Sequence, residues 1–376
     1  MHKVAESEAQ DDDALECGTV FSVRDGQPLP GYLPPEDPDN LAPGVFYARA
    51  GHPAVWALES RLAALEGAEA AVCAASGMSI ISQAMFSLLS AGDTLLYSRC
   101  SYPNTIDFFE QHLARLGICV VATDSSDIER LAADIERCRP KVFFFEPLGN
   151  PSLAFTHPVA VARLCKAHCV ISIADNSLLS PAFLRPLDAG IDIVLHSLTK
   201  IIGGFGNAMG GVAAGRAELI NPIARVRWSM GGVLAPQVAL KVLEGVKTLP
   251  LRAVRSSDSA LRVAQALSAD GRVARVVYPF LPDYPWHEPF RVASEGGGSI
   301  VTFLHARGTA GVRDMALRAD AIRFGPSFGK SVTTCSGGAA MERYYGQPPG
   351  FVRLSVGLED ADAIIAELGR MLGSGT

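Results

Sequence analysis

Lys200 lies in a stretch that combines several groups able to bind and activate a cofactor. It ends the run His196-Ser197-Leu198-Thr199-Lys200, which follows an apolar segment at 191–195 and precedes Gly203-Gly204-Phe205-Gly206. An aldehyde cofactor that carries a phosphate needs this set: an amine for a Schiff base, hydroxyls for the phosphate, and glycines where the backbone passes close. A lone lysine after a strand is more often a solvated surface residue, so a second signal is needed.

That second signal lies one predicted strand earlier. The apolar segment 170–174 ends in Asp175-Asn176. A carboxylate there can keep a pyridinium nitrogen protonated, which makes the ring of pyridoxal 5'-phosphate (PLP) an electron sink. An aspartate at a strand end is more commonly a helix cap. Because Asp175 and Lys200 end two successive predicted strands, the pair predicts a PLP-dependent enzyme.

The composition is typical of a cytoplasmic enzyme with two domains. The chain has 376 residues, 48% of them hydrophobic, which is enough for a large core. A formal net charge of −6 without a basic block argues against nucleic-acid binding. No apolar stretch approaches the roughly 20 residues of a membrane helix, and the acidic N-terminus does not resemble a signal peptide. Eight scattered cysteines indicate reduced thiols rather than a disulfide framework.

Two further patterns are interpreted as structural. Cys165 and Cys169 flank His168 on a predicted helix. Burial of small apolar cysteines explains this spacing better than metal binding, so no metal site is expected. The pair Tyr344-Tyr345 is interpreted as local packing.

Predicted strands and helices alternate from residue 53 onwards. Strands are expected at 70–75, 93–98, 119–123, 141–146, 170–175 and 192–197, with helices between several of them. The alternation predicts an α/β fold with a mostly parallel sheet, helices on both faces, and a ligand at the C-terminal strand ends. After residue 251, strands at 273–278, 298–304 and 352–356 predict a smaller α+β domain. We therefore divide the chain into an N-terminal arm at 1–51, a large PLP-binding domain at 52–250 and a C-terminal domain at 251–376.

A series of motifs, in order along the chain, resembles one family of enzymes. The motifs are Tyr47-Ala48-Arg49, Leu58-Glu59, Ala75-Ser76-Gly77-Met78, Glu146-Pro147-Leu148-Gly149-Asn150-Pro151, Asp175-Asn176, Ser197-Leu198-Thr199-Lys200, Thr248-Leu249 with Arg252, and Arg353-Leu354-Ser355-Val356-Gly357. From about residue 44 to 370 the chain is similar to the Cys/Met-metabolism family, the cystathionine γ-synthase/γ-lyase group of PLP-dependent enzymes. The resemblance implies the fold-type-I PLP-dependent transferase fold with PLP as cofactor.

The same resemblance implies roles at the reacting end of the cofactor and at the substrate. Lys200 would form the Schiff base and carry protons, and Asp175 would pair with the pyridine nitrogen. Tyr102 would stack on the ring and act as an acid or base. Arg353 would clamp the substrate carboxylate, a task that suits its planar fork, with Ser327 nearby.

Further residues are implied to bind the cofactor. Four would hold the phosphate within the subunit: Gly77, Met78, Ser197 and Thr199. Asn150 would lie near the phenolic oxygen. Tyr47 and Arg49 would reach the phosphate of a neighbouring subunit, so the N-terminal arm is expected to contact that subunit in a homotetramer built as a dimer of dimers.

The sequence departs from the family where the substrate is concerned. Gly51-His52-Pro53-Ala54 replaces the usual Gly-Asn-Pro-Thr, and Val332 stands where the family carries a glutamate. Asn104 stands where methionine γ-lyases carry a cysteine, and the segment 333–340 is shortened. These departures argue against ordinary transsulfuration and methionine degradation, and favour a specialised biosynthetic substrate.

The expected function is γ-elimination or γ-replacement on an α-amino acid that carries a γ leaving group. The alternatives are β-elimination from cysteine derivatives, transsulfuration of the cystathionine γ-synthase or γ-lyase type, and a non-catalytic PLP-binding protein. The expected partners are a small amino-acid substrate and further copies of the chain, with active sites at the dimer interface. Neither a nucleic acid nor a membrane is expected.

Overall fold

The structure is a computed structural model that describes residues 47–373. The predicted arm at 1–51 lies outside the described residues except for 47–51. No helix in the described range is long and apolar enough to cross a membrane.

The larger of two sheets has two residues of the predicted site, Asp175 and Ser197, at its strand ends. Its strands are β1 Ala70–Ala74, β2 Thr94–Ser98, β3 Cys119–Thr123, β4 Val142–Phe145, β5 Ile171–Asp175, β6 Ile193–Ser197 and β7 Gly211–Gly215. Their order is β1-β7-β6-β5-β4-β2-β3. Strands β2 to β6 pair in parallel, whereas β7 is antiparallel to β1 and β6. The predicted mostly parallel sheet is confirmed, although β7 was not predicted.

Helices cover both faces of this sheet, as predicted. They are α1 Pro53–Glu66, α2 Gly77–Leu88, α3 Pro103–Asp107, α4 Ile128–Cys138, α5 Pro158–Ala167, α6 Ala217–Met230 and α7 Pro236–Lys247. α3 leads into a π-helical segment, Phe108–Leu113, and a 3-10 turn, Ala114–Leu116; a second 3-10 turn covers Pro186–Ala189. Side chains alternate across β1: Cys73 packs in one core with α1 and α7, and Val72 in another with α2 and α6.

The smaller sheet lies in the C-terminal part of the chain. Its strands are β8 Val273–Val277, β9 Ile300–His305, β10 Arg323–Phe324, β11 Thr334–Gly337 and β12 Phe351–Ser355. Their order is β10-β11-β12-β9-β8, antiparallel except for the β10–β11 pair. The associated helices are α8 Leu249–Ser268, α9 His287–Ala293, α10 Gly308–Arg318, α11 Ala339–Tyr345 and α12 Ala361–Leu372.

Helix α8 links the two sheets. Leu249 at its first turn packs in a core of the large sheet, whereas Ala260 and Val263 pack in the core of the small sheet. The predicted boundary between residues 250 and 251 therefore falls inside a continuous helix. The division into three segments remains a prediction.

Candidate active site

A cavity of about 210 Å³ lies at the C-terminal ends of β5 and β6 and the N-terminal end of α2. The residues predicted for the site that line it are Gly77, Met78, Tyr102, Asn150, Asp175, Ser197, Thr199, Lys200 and Arg353. This edge of a parallel sheet is where open α/β folds bind ligands.

Lys200 projects from the segment that follows β6. Its Nζ donates a hydrogen bond to Ser327 Oγ at 3.2 Å and lies 4.6 Å from the centre of the Phe328 ring. Burial, reinforced by the charge of Arg353, lowers the pKa of Lys200 to about 8, while Asp175 partly opposes the shift. An amine with this pKa is partly neutral near physiological pH, as nucleophilic and proton-transfer roles require.

The backbone after Lys200 is fixed by a buried arginine. Arg252 donates to the carbonyl oxygens of Ile201 at 2.8 Å and Ile202 at 3.1 Å. Gly204 has a φ of +74°, and a Cβ there would lie 1.9 Å from Arg252 Nη1. The glycine of the predicted flexible turn is therefore needed to admit Arg252, and the turn that carries Lys200 is held at several points.

Asp175 is the last residue of β5 and faces the same cavity. One of its oxygens accepts from the backbone N–H of Ser177 at 3.1 Å and from the Ser177 hydroxyl at 2.6 Å. Ser177 Oγ in turn accepts from the backbone N–H of Ser197 at 2.6 Å, which ties the ends of β5 and β6 together. Burial raises the pKa of Asp175, and the Ser177 hydrogen bonds oppose this shift. The other oxygen accepts no hydrogen bond from the part of the chain that the structure describes.

The N-terminus of α2 provides a place for an anion. Ser76 caps the helix, and its Oγ accepts from the backbone N–H of Ser79 at 3.0 Å. The first helical residue is Gly77, where a Cβ would lie 3.1 Å from Ser197 Cβ. A larger side chain at 77 would push the helix terminus and Ser197 apart. Glycine therefore allows both to border the same end of the cavity. Free N–H groups and the helix dipole at such a terminus favour phosphate.

Thr199 and Met78 also border this end of the cavity. Thr199 Oγ1 accepts from the backbone N–H of Gly210 at 3.3 Å. Met78 Sδ accepts from Thr105 Oγ1 at 3.6 Å, which anchors the first turn of α2 against α3. Thr199 Oγ1 also donates to the Gly210 carbonyl oxygen at 3.5 Å, so it can donate to a phosphate once its O–H rotates away from that long contact.

Arg353 lies in the middle of β12 with 1% of its surface exposed. Its Nη1 donates to Asn150 Oδ1 at 2.9 Å, and its Nη2 donates to the carbonyl oxygens of Pro326 at 3.0 Å and Ser327 at 3.1 Å. Nε is buried, and no residue within 47–373 serves as its hydrogen-bond partner. A buried guanidinium with an unused donor on a cavity wall fits an incoming carboxylate.

Tyr102 stands at the start of α3, and its position depends on Glu146. The backbone N–H of Tyr102 donates to Glu146 Oε1 at 2.6 Å. Burial, followed by the charge of Asp175, raises the pKa of Glu146 well above its usual range. Glu146 lines the cavity, but sequence reasoning gave it no role. Its position directly after the buried strand β4, at the same sheet edge as Asp175, was the signal that could have found it.

Three other residues of the site were not assigned from sequence. Ser177 connects Asp175 to Ser197, and Phe328 lies under Lys200 Nζ. Tyr345 lines the cavity, and the interpretation of Tyr344-Tyr345 as local packing rather than a cofactor platform stays a prediction. Burial raises the pKa of Tyr345, and the Arg353 guanidinium partly offsets this. Only α11 brings Tyr345 here, and sequence reasoning did not predict that helix.

The structure does not bring every predicted residue into the cavity. Ser327 borders it through its hydrogen bond to Lys200. Tyr47 and Arg49 do not line it: Arg49 Nη1 donates to the Trp228 carbonyl at 2.8 Å, and the guanidinium lies 5.2 Å from the centre of the Tyr47 ring. Their contact with the phosphate of a neighbouring subunit remains a prediction.

The donor set fits PLP. One end of the cavity offers helix N–H groups and hydroxyls for a phosphate, and a lysine for an aldehyde stands at its wall. The carboxylate of Asp175 and the unused donor of Arg353 match a pyridinium nitrogen and a substrate carboxylate.

Known proteins are similar to this chain in sequence and in fold. A family model described as Cys/Met metabolism PLP-dependent enzyme matches residues 36–373. The chain is 37% identical over 347 residues to an O-succinylhomoserine sulfhydrylase of Pseudomonas aeruginosa, covering 88% of this chain and 84% of that protein. It is 35% identical over 326 residues to a cystathionine beta-lyase of Bacillus subtilis, covering 84% and 83%. The crystal structure of a cystathionine gamma synthase from Xanthomonas oryzae pv. oryzae, in complex with cystathionine, matches with a TM-score of 0.87 at 27% identity, covering 95% and 92%.

These matches confirm several predictions at once. The fold-type-I architecture, the PLP cofactor and the assignment as an enzyme of γ-elimination or γ-replacement are confirmed. The family model alone spans most of the chain. The chain belongs to the family of Cys/Met metabolism PLP-dependent enzymes.

Proposed function

We propose that this enzyme removes or replaces an oxygen- or sulfur-linked group on the γ-carbon of a homoserine-type α-amino acid. The observation that carries the proposal is the convergence of Lys200, Asp175 and Arg353 on one cavity beside the N-terminus of α2. The name of the Pseudomonas relative specifies O-succinylhomoserine, an amino acid with an acyloxy group at this carbon. We extend that class of substrate to this chain.

The cofactor would be held at both ends. The phosphate would be bound by the backbone N–H groups at Gly77 and Met78 and by the hydroxyls of Ser197 and Thr199. The Asp175 carboxylate would pair with the pyridine nitrogen. When bound, PLP withdraws electron density from the amino acid, which makes its α- and β-protons acidic and allows the γ-substituent to depart. Asn150 Oδ1 accepts a hydrogen bond from Arg353 Nη1, and the Asn150 side chain would contact the phenolic oxygen of the cofactor.

Arg353 orients the substrate. Its Nη atoms are held by fixed oxygens on neighbouring segments, so the guanidinium plane is set before the substrate arrives. The unused Nε–H donates to the carboxylate. A fixed carboxylate places the α-proton towards Lys200 and the side chain of the substrate towards Tyr102, both of which line the same cavity.

Lys200 moves protons between carbon atoms of the substrate. Its Nζ takes the proton from the α-carbon, gives that proton up to solvent, and can then take a proton from the β-carbon. A pKa of about 8 suits an amine that alternates between its neutral and protonated forms. Ser327 Oγ holds Nζ between transfers.

Tyr102 acts on the departing group. Its hydroxyl supplies a proton to a thiolate that leaves the γ-carbon, whereas a carboxylate leaves without one; in the replacement reaction the hydroxyl takes a proton from the incoming thiol. The hydrogen bond from its backbone N–H to Glu146 fixes the start of α3 and so the origin of the side chain. Tyr102 is 36% exposed, so it stands at the mouth of the cavity, where groups enter and leave.

We further propose that the enzyme works in the cytoplasm as a homotetramer. Tyr47 and Arg49 lie outside the cavity of their own subunit, which agrees with a role at the phosphate of a neighbour. The three-segment division of the chain belongs to the same proposal, with the arm at 1–51 on the neighbouring subunit.

Mass spectrometry of the products tests the proposed function. The purified holoenzyme is offered cystathionine, methionine and O-acylhomoserines, each with and without a thiol. We expect 2-oxobutanoate and ammonia without thiol, and a new thioether with thiol; Lys200→Ala should form neither. Unchanged product formation by Lys200→Ala would contradict the assignment.

A second candidate, β-elimination, is supported by the relative from Bacillus subtilis named cystathionine beta-lyase. Its product from a cysteine derivative is pyruvate rather than the four-carbon acid. Pyruvate without 2-oxobutanoate would replace the first proposal by the second. A cofactor absorbance band that no amino acid perturbs would indicate a non-catalytic protein.

A further inference from the structure

A second pocket of about 470 Å³ adjoins the active-site cavity, and we call it the side pocket. It shares three wall residues with that cavity: Tyr102, Pro326 and Tyr345. Its remaining surface comes from the start of α3, from β10 and the residues after it, and from β11 and α11, with Phe324 and Met341 among its members. The two spaces therefore share a wall that includes Tyr102.

The two spaces differ in charge. The wall of the active-site cavity contains Glu146, Asp175, Lys200 and Arg353. Among the described residues that line the side pocket there is no Asp, Glu, Lys, Arg or His. Most of the wall is apolar or aromatic, from two prolines, Phe324, Met341 and three tyrosines; its polar groups are uncharged, namely the tyrosine hydroxyls, Asn104 and Ser336. Moving an unpaired carboxylate or ammonium into such a wall is costly, whereas an apolar group gains free energy by burial.

We propose that the side pocket holds the γ-substituent of the substrate, and that this substituent is an uncharged, largely apolar group such as an acyl chain without a terminal carboxylate. The inference rests on the proposed function and deepens it. With the carboxylate on Arg353 and the α-carbon at Lys200, the γ-group must extend towards Tyr102, which is also a wall of the side pocket. A substrate with a charged distal end would leave that charge without a partner.

Two neighbouring alanines on helix α11 allow a charge to be placed inside or outside the side pocket. Ala340 is exposed and lines the side pocket, whereas its neighbour Ala339 is exposed and does not. Both are in the first turn of the helix, where glutamate is compatible with the helix dipole. Ala340→Glu and Ala340→Gln have the same shape and differ in charge, and Ala339→Glu places the same charge outside the pocket.

The test uses two esters of equal length. O-butanoylhomoserine ends in a methyl group where O-succinylhomoserine ends in a carboxylate. Elimination from either consumes one water and yields 2-oxobutanoate, ammonium, the free carboxylate and one proton. For the unmodified holoenzyme we expect kcat/KM to be at least about tenfold higher for the butanoyl ester, because the carboxylate loses its hydration in the pocket.

The variants then locate the effect. Ala340→Glu should lower kcat/KM for the butanoyl ester about tenfold, Ala340→Gln no more than about threefold, and Ala339→Glu not at all. Ala340→Lys should shift the preference towards the succinyl ester by about tenfold, because it supplies a partner for the distal carboxylate.

The inference is overturned if the unmodified enzyme prefers the succinyl ester, or if Ala340→Glu and Ala339→Glu have equal effects. O-acetylhomoserine, whose acyl group is too short to fill the side pocket, separates this failure from failure of the proposed function. If O-acetylhomoserine is converted to 2-oxobutanoate, the proposed γ-elimination is supported even when the pocket inference fails. If no homoserine ester is converted, the pocket inference fails; the proposed function fails as well if cystathionine and methionine also give no 2-oxobutanoate.

Discussion

Replacing Arg353 by lysine should separate recognition of the substrate carboxylate from every other function of the site. The change keeps a positive charge but removes the planar fork and the Nε–H donor, which is buried without a partner. Losing one charge-assisted hydrogen bond to the carboxylate costs about 1.5–3 kcal/mol. At about 1.4 kcal/mol per factor of ten, kcat/KM should fall roughly 10- to 150-fold.

The assay compares each enzyme on an amino acid and on its carboxamide, which lacks the negative charge. Arg353→Lys should lose the full factor on the amino acid and no more than about threefold on the amide, because the interaction is already absent there. Arg252→Lys serves as the matched control, since Arg252 is also buried but does not line the cavity. Equal losses of Arg353→Lys on both substrates would refute the carboxylate clamp and leave Arg353 a structural residue.

Three further predictions concern the cofactor end of the site. Capture of PLP by the apoenzyme requires neutral Lys200, so the capture rate should rise with pH and reach half its maximum near the Lys200 pKa of about 8. Because the charge of Lys330 helps to lower that pKa, Lys330→Gln should move the midpoint to higher pH. Stopped-flow absorbance measures the midpoint, and a midpoint unchanged or lower in the variant would contradict the reasoning. Asp175→Asn keeps the shape but removes the charge at the pyridine nitrogen, so kcat should fall at least about 100-fold while PLP remains bound; a kcat within threefold would contradict the pairing. Gly204→Ala places a side chain at an unfavourable φ and against Arg252, so the free energy of unfolding should fall by roughly 1–3 kcal/mol. A denaturant titration measures this free energy, and an unchanged value would show that the turn is not constrained as described.

The sequence contained enough information to predict the alternating part of the fold. The strands that became β2 to β6 are short apolar runs separated by helical segments, and both period and spacing are local properties. β7 was missed because its sequence, Gly-Val-Ala-Ala-Gly, has little β propensity. Its ends need glycine because a Cβ on Gly211 would lie 2.3 Å from the Ser76 carbonyl oxygen, and one on Gly215 would lie 2.5 Å from the Asp192 carbonyl oxygen. Such close approaches exist only after folding.

The site also combines features that follow from local sequence with contacts that form only on folding. Asp175 and Lys200 end successive strands, so their proximity follows from topology, and the structure places both on one cavity. Tyr345 and Phe328 come from the C-terminal part of the chain, which packs against residues that follow β4 and β5, and no local pattern encodes that packing. Glu146 was quoted within a motif, but its link to the backbone of Tyr102 is a contact across 44 positions.

Borohydride reduction of the holoenzyme, followed by peptide mass spectrometry, tests the central claim most directly, because it fixes the cofactor to the residue that binds it. A phosphopyridoxyl group on the peptide that contains Lys200, and its absence in Lys200→Ala, is the predicted result. The same group on Lys330 or on another lysine would contradict the assignment of the active site.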